Sequence, residues 1–273
     1  MGKIIMRKNV LERVIKVVFL LCACVSILAV ALICLFMFAR GIPAINEIGF
    51  FKFLGGKLWK PSDIPASYGI LPMILGSIYV TGGAIIIGVP IGLLTAIFLS
   101  KFCPKKLYKF LMPPINLMAG IPSIIYGFFG MIIITPLIRT YVGGDGNSIL
   151  TASILLGIMI LPTVVGLSEA SLNAVPKSYY EGAVALGATH ERAVVSVVFP
   201  AAKSGIMAAV ILAIGRAVGE TMAVIMVAGN QPRMPKGILR GVRTLTSNIV
   251  TEMGYAEGIH YEALIATALV LFV

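Results

Sequence analysis

The sequence predicts an all-α, polytopic membrane protein with about six transmembrane helices. Hydrophobic residues make up 59% of its 273 residues and charged residues only 12%, whereas soluble domains are about half apolar and about one-quarter charged. The mean hydropathy is +1.01. Several uncharged runs are long enough to cross about 30 Å of hydrocarbon. A water-soluble fold of this length could not bury so much apolar surface.

The charge pattern favours lipid as the surroundings of this chain. Lys and Arg outnumber Asp and Glu by 22 to 11, and a basic balance can indicate nucleic-acid binding. These cations, however, lie between apolar runs, as they do in the cytoplasmic loops of membrane proteins. We therefore expect contact with membrane lipid and no nucleic-acid partner.

The cysteines predict neither a metal site nor a disulfide framework. Cys22, Cys24 and Cys34 fall within the first apolar run, where cysteine behaves as a small hydrophobe, and Cys103 stands alone. The Cys22-x-Cys24 pair lacks a second pair of ligands at a zinc-site spacing. We expect no metal and no cofactor.

The first apolar run, residues 17–39, predicts a retained anchor helix. At 1.5 Å per residue it extends roughly 35 Å, whereas the apolar core of a cleaved signal peptide is only about 7–15 residues long. Five cations precede the run: Lys3, Arg7, Lys8, Arg13 and Lys16. Because cationic flanks stay in the cytoplasm, the N-terminus is predicted to be cytoplasmic.

The second span is predicted at residues 70–99, with a bend at Pro90. Residues 110–138 are long for one helix and short for two. We predict one crossing there, either broken or preceded by an irregular segment near Gly120-Ile121-Pro122. Irregular backbone at membrane depth must be buried in protein or line a cavity.

The remaining spans are predicted at residues 149–167, at residues 204–228, and from Ala263 onward. Residues 263–273 are too few to cross a membrane, so we expect the last helix to be truncated. The whole chain, residues 1–273, is read as a single transmembrane domain. The predicted outer segment 229–262 departs from the rule that cations gather in cytoplasmic loops. It carries four cations: Arg233, Lys236, Arg240 and Arg243.

A motif on the predicted inner side names a family. Four positions match by residue type: Glu181, Ala183, Gly187 and Pro200. Their spacing resembles the cytoplasmic EAA loop of permease subunits of ABC importers, although Gly182 stands where that motif has alanine. We interpret residues 177–203 as an EAA-like coupling loop, whose small residues would let a helix press into a groove on an ATPase. The alternative is a surface hairpin without a partner.

Four further stretches narrow the resemblance. They are Trp59-Lys60-Pro61 with residues 68–72, residues 119–127, residues 175–180, and residues 215–223. Together they are similar to the PstC-type permeases of phosphate-specific ABC importers. The resemblance covers nearly the whole chain, and it implies the fold of a type I ABC importer permease.

The resemblance implies a set of partners. They are a second, PstA-like permease subunit in a heterodimer, two ATPase subunits, and an extracytoplasmic phosphate-binding protein, all at a bacterial inner membrane. The chain itself is expected to be no enzyme, because its sequence lacks the G-x-x-x-x-G-K-[ST] phosphate loop.

Two alternatives to phosphate import stay open. One is a permease for another oxyanion, such as sulfate, molybdate or phosphonate. The other is an ATP-independent channel or secondary transporter. The spacing of the EAA-like motif argues against the second, since a channel has no ATPase to engage.

Arg216 and Glu220 interrupt the fifth predicted span. A charge at the centre of a membrane helix costs roughly 2.5–3.5 kcal/mol or more, and such residues usually mark a transport path. Their i, i+4 spacing predicts an ion pair on one helix face. We expect Arg216, Glu220 and Thr221 to line the path of an anion, since a guanidinium fork matches phosphate oxygens. A purely structural ion pair is the alternative.

Three other titratable residues receive lesser predictions. We expect His190 and His260 to be solvated in loops, and Glu169 to cap or pair near the inner end of the fourth span.

Overall fold

The computed structural model describes residues 2–273, with side chains from Glu12 onward. The helices, in chain order, are α1 (Gly2–Ile48), α2 (Phe50–Gly55), α3 (Leu71–Ile97), α4 (Lys105–Gly120), α5 (Ser123–Phe129), α6 (Thr135–Tyr141), α7 (Ile149–Ala174), α8 (Lys177–Ala185), α9 (His190–Ala193), α10 (Phe199–Ala201), α11 (Lys203–Gly219), α12 (Met222–Val227), α13 (Leu245–Glu252) and α14 (Gly258–Phe272). A π-helical turn at Phe98–Phe102 extends α3. A second, at Gly130–Ile134, joins α5 to α6, and a third, at Val194–Val198, joins α9 to α10.

Four continuous helical stretches are long and apolar enough to cross a membrane: Glu12–Ile48, Leu71–Phe102, Ser123–Tyr141 and Ile149–Ala174. A fifth arises if His190–Ala201 and Lys203–Gly219 form one span bent by 68°. The apolar helix α14 is shorter, at 15 residues. The predicted polytopic, mostly helical fold is therefore confirmed, with four or five full-length candidates among the described residues.

Several predicted boundaries differ from the structure. α1 continues to Ile48, well beyond the predicted end at residue 39, although it contains Pro43. A short antiparallel hairpin, β1 (Trp59–Lys60) with β2 (Ser67–Tyr68), adds two strands to the predicted all-α fold. The last helix begins at Gly258 rather than at Ala263. Lys3, Arg7 and Lys8, on which the predicted orientation partly rests, lie outside the residues whose side chains are described.

The predicted break in the third span is confirmed. α4 ends at Gly120 and α5 begins at Ser123, so Ile121 and Pro122 interrupt the helix. Proline lacks the amide proton and disfavours a helical conformation in the residue before it. Within the described residues α4 buries none of its side chains, whereas the crossing Ser123–Tyr141 packs into the core.

The centre of the bundle is α7, which packs along α3 in a parallel arrangement. The hydroxyl of Ser153 donates to the carbonyl of Val80 at 3.2 Å, and near the other end Ser100 donates to Asn173 at 2.6 Å. A side-chain carbon on Gly88 would lie 2.7 Å from the carbonyl oxygen of Gly157. Such glycine contacts let backbones approach closely, which drives helix association where lipid is as apolar as the helices.

α11 runs antiparallel to α7. Its first turn lies against the last turns of α7, where Gly205 contacts Ser171, and its last turn reaches Thr163 near the middle of α7. α1 packs mainly against α14, with Gly41 touching Leu269. We refer to the end of the bundle where α7 leads into α8 as the α8 end.

Candidate functional site

The candidate site is a junction of two helix breaks, each at the start of one of two packed helices. One is the Ile121–Pro122 break between α4 and α5, and the other separates α11 from α12 at Glu220–Thr221. α5 and α12 are in close contact, because a side-chain carbon on Gly127 would lie 2.9 Å from the Cα of Ala223. The two breaks therefore lie at the starts of packed helices, with Pro122 exposed and Glu220 and Thr221 half-buried.

Arg216 lies at this junction. It is half-buried in the last turn of α11, and its Nη1 donates to the hydroxyl of Thr163 at 3.4 Å. Among the described side chains, no carboxylate lies within 4.0 Å of its guanidinium. The junction thus holds a permanent cation without a counter-charge.

The predicted ion pair between Arg216 and Glu220 is wrong. It required one helix to run through both residues, but α11 ends at Gly219 and Glu220 is extended, with φ −69° and ψ 130°. The Glu220 Oε1 instead accepts hydrogen bonds from the amides of Thr221 at 3.1 Å and Ala223 at 3.2 Å. The carboxylate therefore caps the start of α12, where an anion is favoured by the free amides.

Thr221 follows Glu220 in the same break. It is half-buried, and its hydroxyl donates to the carbonyl of Gly219 at 3.2 Å. The structure thus brings all three predicted path residues to one junction but pairs Glu220 with backbone rather than with Arg216. Because the Glu220 carboxylate accepts hydrogen bonds from main-chain amides, the guanidinium of Arg216 is available to bind another oxygen ligand.

Helix α13 supports the junction, although the sequence placed it in an outer segment. Thr246 donates its hydroxyl to the main-chain carbonyl of Glu220 at 3.0 Å, and the Leu245 amide donates to Ser77 Oγ at 3.0 Å. A mostly apolar cleft of about 440 Å³ lies between α3, α11 and α14, lined in part by Ser77, Thr81, Val218 and Leu245. Sequence analysis offered no signal for these contacts beyond the polar run Thr244–Asn248 ahead of an apolar helix.

A buried network around Glu252 joins α13 to the hairpin and to α14. Its carboxylate accepts from Trp59 Nε1 at 2.8 Å, lies 2.8 Å from His260 Nε2, and forms an ion pair with Arg243. Trp59 is only 3% exposed, and His260 is half-buried, so the prediction of a solvated His260 is wrong. Nearby, burial followed by the charge of Glu252 raises the pKa of Tyr255 above its ordinary value.

The EAA-like segment forms a projecting helix followed by a tight turn. Within the described residues α8 buries none of its side chains, and Leu186 after it is 91% exposed. Gly187 has a φ of +87° and donates its amide to Val184 O at 2.9 Å, which ends the helix in the left-handed conformation that glycine favours. Glu181 and Gly182 are exposed on this helix.

Beyond the turn, the segment is tied back to the bundle. His190, predicted to be solvated, lies 2.8 Å from the hydroxyl of Tyr180 and 3.1 Å from the carbonyl of Lys101 at the end of α3. Pro200 is exposed at the 68° bend that leads into α11.

Glu169 lies in α7, near the end that leads into α8. It is buried, and its carboxylate accepts hydrogen bonds from Tyr108 and Asn173, as its predicted pairing role requires.

Comparison with known proteins gives relatives along most of the chain. A family model described as "Binding-protein-dependent transport system inner membrane component" matches residues 88–273. The chain is 38% identical to the probable ABC transporter permease protein YqgH of Bacillus subtilis, over 86% of this chain and 77% of that protein. It is 34% identical to the phosphate transport system permease protein PstC of Mesorhizobium japonicum, over 87% and 78% of the two chains.

Solved structures share the fold. A chain of an amino acid ABC transporter superposes with a TM-score of 0.53 at 21% identity, covering 74% of this chain and 86% of that one. A chain of the MetNI methionine ABC transporter superposes with a TM-score of 0.54 at 20% identity, covering 75% and 88%. The chain belongs to the family of binding-protein-dependent transport system inner membrane components, the membrane-embedded permease subunits of ABC importers.

Proposed function

We propose that this chain is the PstC-type permease subunit of an ATP-driven phosphate importer and forms half of the translocation path. Two kinds of support meet. Relatives named as phosphate transport permeases align over more than four-fifths of the chain. The site itself offers a cation suited to a tetrahedral oxyanion.

The observation that carries the proposal is the guanidinium of Arg216, which forms no ion pair with any of the described carboxylates. It lies where α11 breaks, it has one weak hydrogen bond at 3.4 Å, and Glu220 is occupied by backbone amides. An anion crossing the membrane needs a counter-charge, yet must also leave, so a single half-buried guanidinium is suited to brief binding. Glu220 and Thr221 shape the break beside it.

The assembly follows from the permease role. We infer a heterodimer with a second, PstA-like permease, two ATPase subunits, one of them docked on the exposed helix α8, and an extracytoplasmic phosphate-binding protein. Glu181, Gly182, Ala183, Gly187 and Pro200 would carry the coupling. The N-terminus would lie in the cytoplasm of a bacterial cell, the chain would span the inner membrane, and it would hydrolyse no ATP itself.

The test is uptake of radiolabelled phosphate by the complete transporter in a host that lacks its own phosphate importers. Arg216→Gln should lower uptake roughly tenfold to a hundredfold, the loss expected for a charge-assisted hydrogen bond of about 1.5–3 kcal/mol. Arg216→Lys should recover part of it, because a point charge lacks the planar fork. Arg139→Gln removes an exposed cation from the last turn of α6 and serves as the control.

Three results would count against the proposal. Wild-type uptake by Arg216→Gln in a normally assembled complex would remove Arg216 from the path. Inhibition of uptake by excess sulfate, molybdate or phosphonate, stronger than by unlabelled phosphate, would indicate another oxyanion. Uptake that persists without the ATPase subunits would indicate a channel or secondary transporter.

A further inference from the structure

The loop between α12 and α13 forms a basic pocket. The pocket has a volume of about 360 Å³ and is lined by Arg233, Met234, Lys236, Arg240 and Gly241. Three of these five residues are cations, and none is acidic. Within the part of the chain whose side chains are described, no carboxylate lies within 4.0 Å of the three cations. We call this concavity the basic pocket.

The fourth cation of the same loop behaves differently. Arg243 is mostly buried and forms an ion pair with Glu252, and it also donates to Asn248 and to the carbonyl of Asn230. The guanidinium of Arg243 is therefore already bound by groups of the protein itself. Among the side chains that the structure describes, the three cations of the basic pocket have no carboxylate partner of this kind, which leaves their charge uncompensated there.

The main chain of the basic pocket is held in place by the start of α7. The amide of Ile149 donates to Arg240 O at 3.2 Å, and the amide of Leu150 donates to Ile238 O at 2.9 Å. The amide of Val242 donates to Ala228 O at 2.8 Å. The guanidinium of Arg233 is oriented by Gln231, whose Oε1 accepts from Nε at 2.8 Å. The pocket is thus preformed, and like charges gathered in a fixed concavity attract an anion.

The position of the basic pocket is as telling as its charge. The basic pocket lies beside the first residues of α7, whereas α8 follows the last residues of α7. Because α7 has 26 residues, its length separates the pocket from α8 by about 39 Å. The pocket therefore lies at the opposite end of the bundle from the exposed helix α8. If α8 faces the cytoplasm, as the proposed function requires, the basic pocket faces outward, where cations are disfavoured by the usual charge bias.

The loop that forms the basic pocket also leads to the junction at Arg216. Five residues after Gly241, Thr246 donates to the main-chain carbonyl of Glu220. An anion held at the pocket would thus lie at the start of the segment that supports the proposed path. Two arginines and a lysine offer both forked and single donors to the oxygens of a phosphate group.

We propose that the basic pocket is a binding site for a phosphate group, either free phosphate awaiting transport or the headgroup of an anionic lipid. The three cations are exposed, so their binding is weak and is reduced by salt. The pocket is distinct from Arg216, and its outward placement rests on the proposed function.

The experiment uses the complete transporter in nanodiscs of phosphatidylcholine, with Arg216→Gln as the parent so that the proposed path contributes no binding. Broadening of the ³¹P resonance of inorganic phosphate reports the free ion. Adding Lys236→Gln and Arg240→Gln should reduce the broadening at least threefold. The matched control, Lys52→Gln with Lys57→Gln, removes two cations from the segment around α2 and should leave the broadening unchanged.

A second arm replaces part of the lipid with phosphatidylglycerol and counts retained lipid by native mass spectrometry. Selective loss of retained phosphatidylglycerol in the pocket variant would identify the lipid headgroup as the ligand, whereas loss in the first arm alone identifies free phosphate. If neither arm separates the pocket variant from its control, the site does not exist. Uptake by the wild-type transporter tests the proposed function independently of both arms.

Discussion

The hydroxyl of Thr246 donates a hydrogen bond to the main-chain carbonyl of Glu220, 3.0 Å away. This bond connects α13 to the point where α11 ends. A carbonyl at a helix end has no partner within its own helix, and a buried one without a partner costs stability. Thr246 therefore supports the break that leaves Arg216 and Glu220 apart.

Replacement of Thr246 by valine should loosen this junction. The change keeps the shape of the side chain but leaves the Glu220 carbonyl without its donor, at a cost of about 1–3 kcal/mol. We expect a lower melting temperature of the purified complex and a reduced rate of phosphate uptake. Thr251→Val is the control, since that hydroxyl bonds only within α13, to Ser247 O at 2.7 Å and to Asn248 O. Equal effects of the two variants would argue against a special role for Thr246.

Replacement of Gly187 should impair coupling rather than folding. A side chain there meets no atom within 4 Å, but the φ of +87° costs an L-residue about 1–2 kcal/mol. We expect Gly187→Trp to raise the ATP hydrolysed per phosphate transported while the chain still inserts. Gly182→Ala is the control. A side-chain carbon at this position also meets no atom within 4 Å, its φ is not positive, and the EAA motif itself has alanine there, so transport should be nearly unchanged. Normal transport by Gly187→Trp would refute the coupling assignment.

Replacement of Glu252 by glutamine should be strongly destabilising. The side chains of Glu252 and Arg243 are 8% and 14% exposed, and an unpaired buried charge costs about 3–5 kcal/mol. Thermal unfolding of the complex measures the loss, and adding Arg243→Gln should restore part of it. Asp63→Asn breaks an exposed ion pair with Lys60 and should change stability by about 1 kcal/mol or less. No rescue in the double variant would show that the two charges do not act as a pair.

Labelling should place the turn after α6 on the opposite side of the membrane from the N-terminus and from α8. A cysteine at Tyr141, which is 81% exposed beside the turn after α6, should react with impermeant reagents added outside intact cells. A reporter fused at residue 1 and a cysteine at Ser178 should be shielded. Labelling of all three from the same side would overturn the predicted orientation and, with it, the outward placement of the basic pocket.

The local sequence predicted part of the candidate site. Gly187 permits a left-handed backbone, and Pro122 restricts the backbone of the residue before it. The turn after α8 and the break before α5 were therefore predictable from local sequence alone. Nothing comparable marks Glu220, because α11 could have continued through it. Its carboxylate caps α12 and its carbonyl is bound by Thr246, and both interactions depend on how segments meet in space.

The sequence by itself determined that this chain belongs in a membrane, where its second and fourth spans begin, where its third is broken, and which segment resembles a coupling loop. Composition and uncharged run length suffice for this, because the free energy of inserting a helix depends on its own residues. Only the tertiary structure decided that Arg216 has no carboxylate partner among the described side chains, that His260 and Trp59 contact Glu252, and that three cations converge on one pocket. Those relationships join residues far apart in the chain, and the packing of helices around α7 sets their distances.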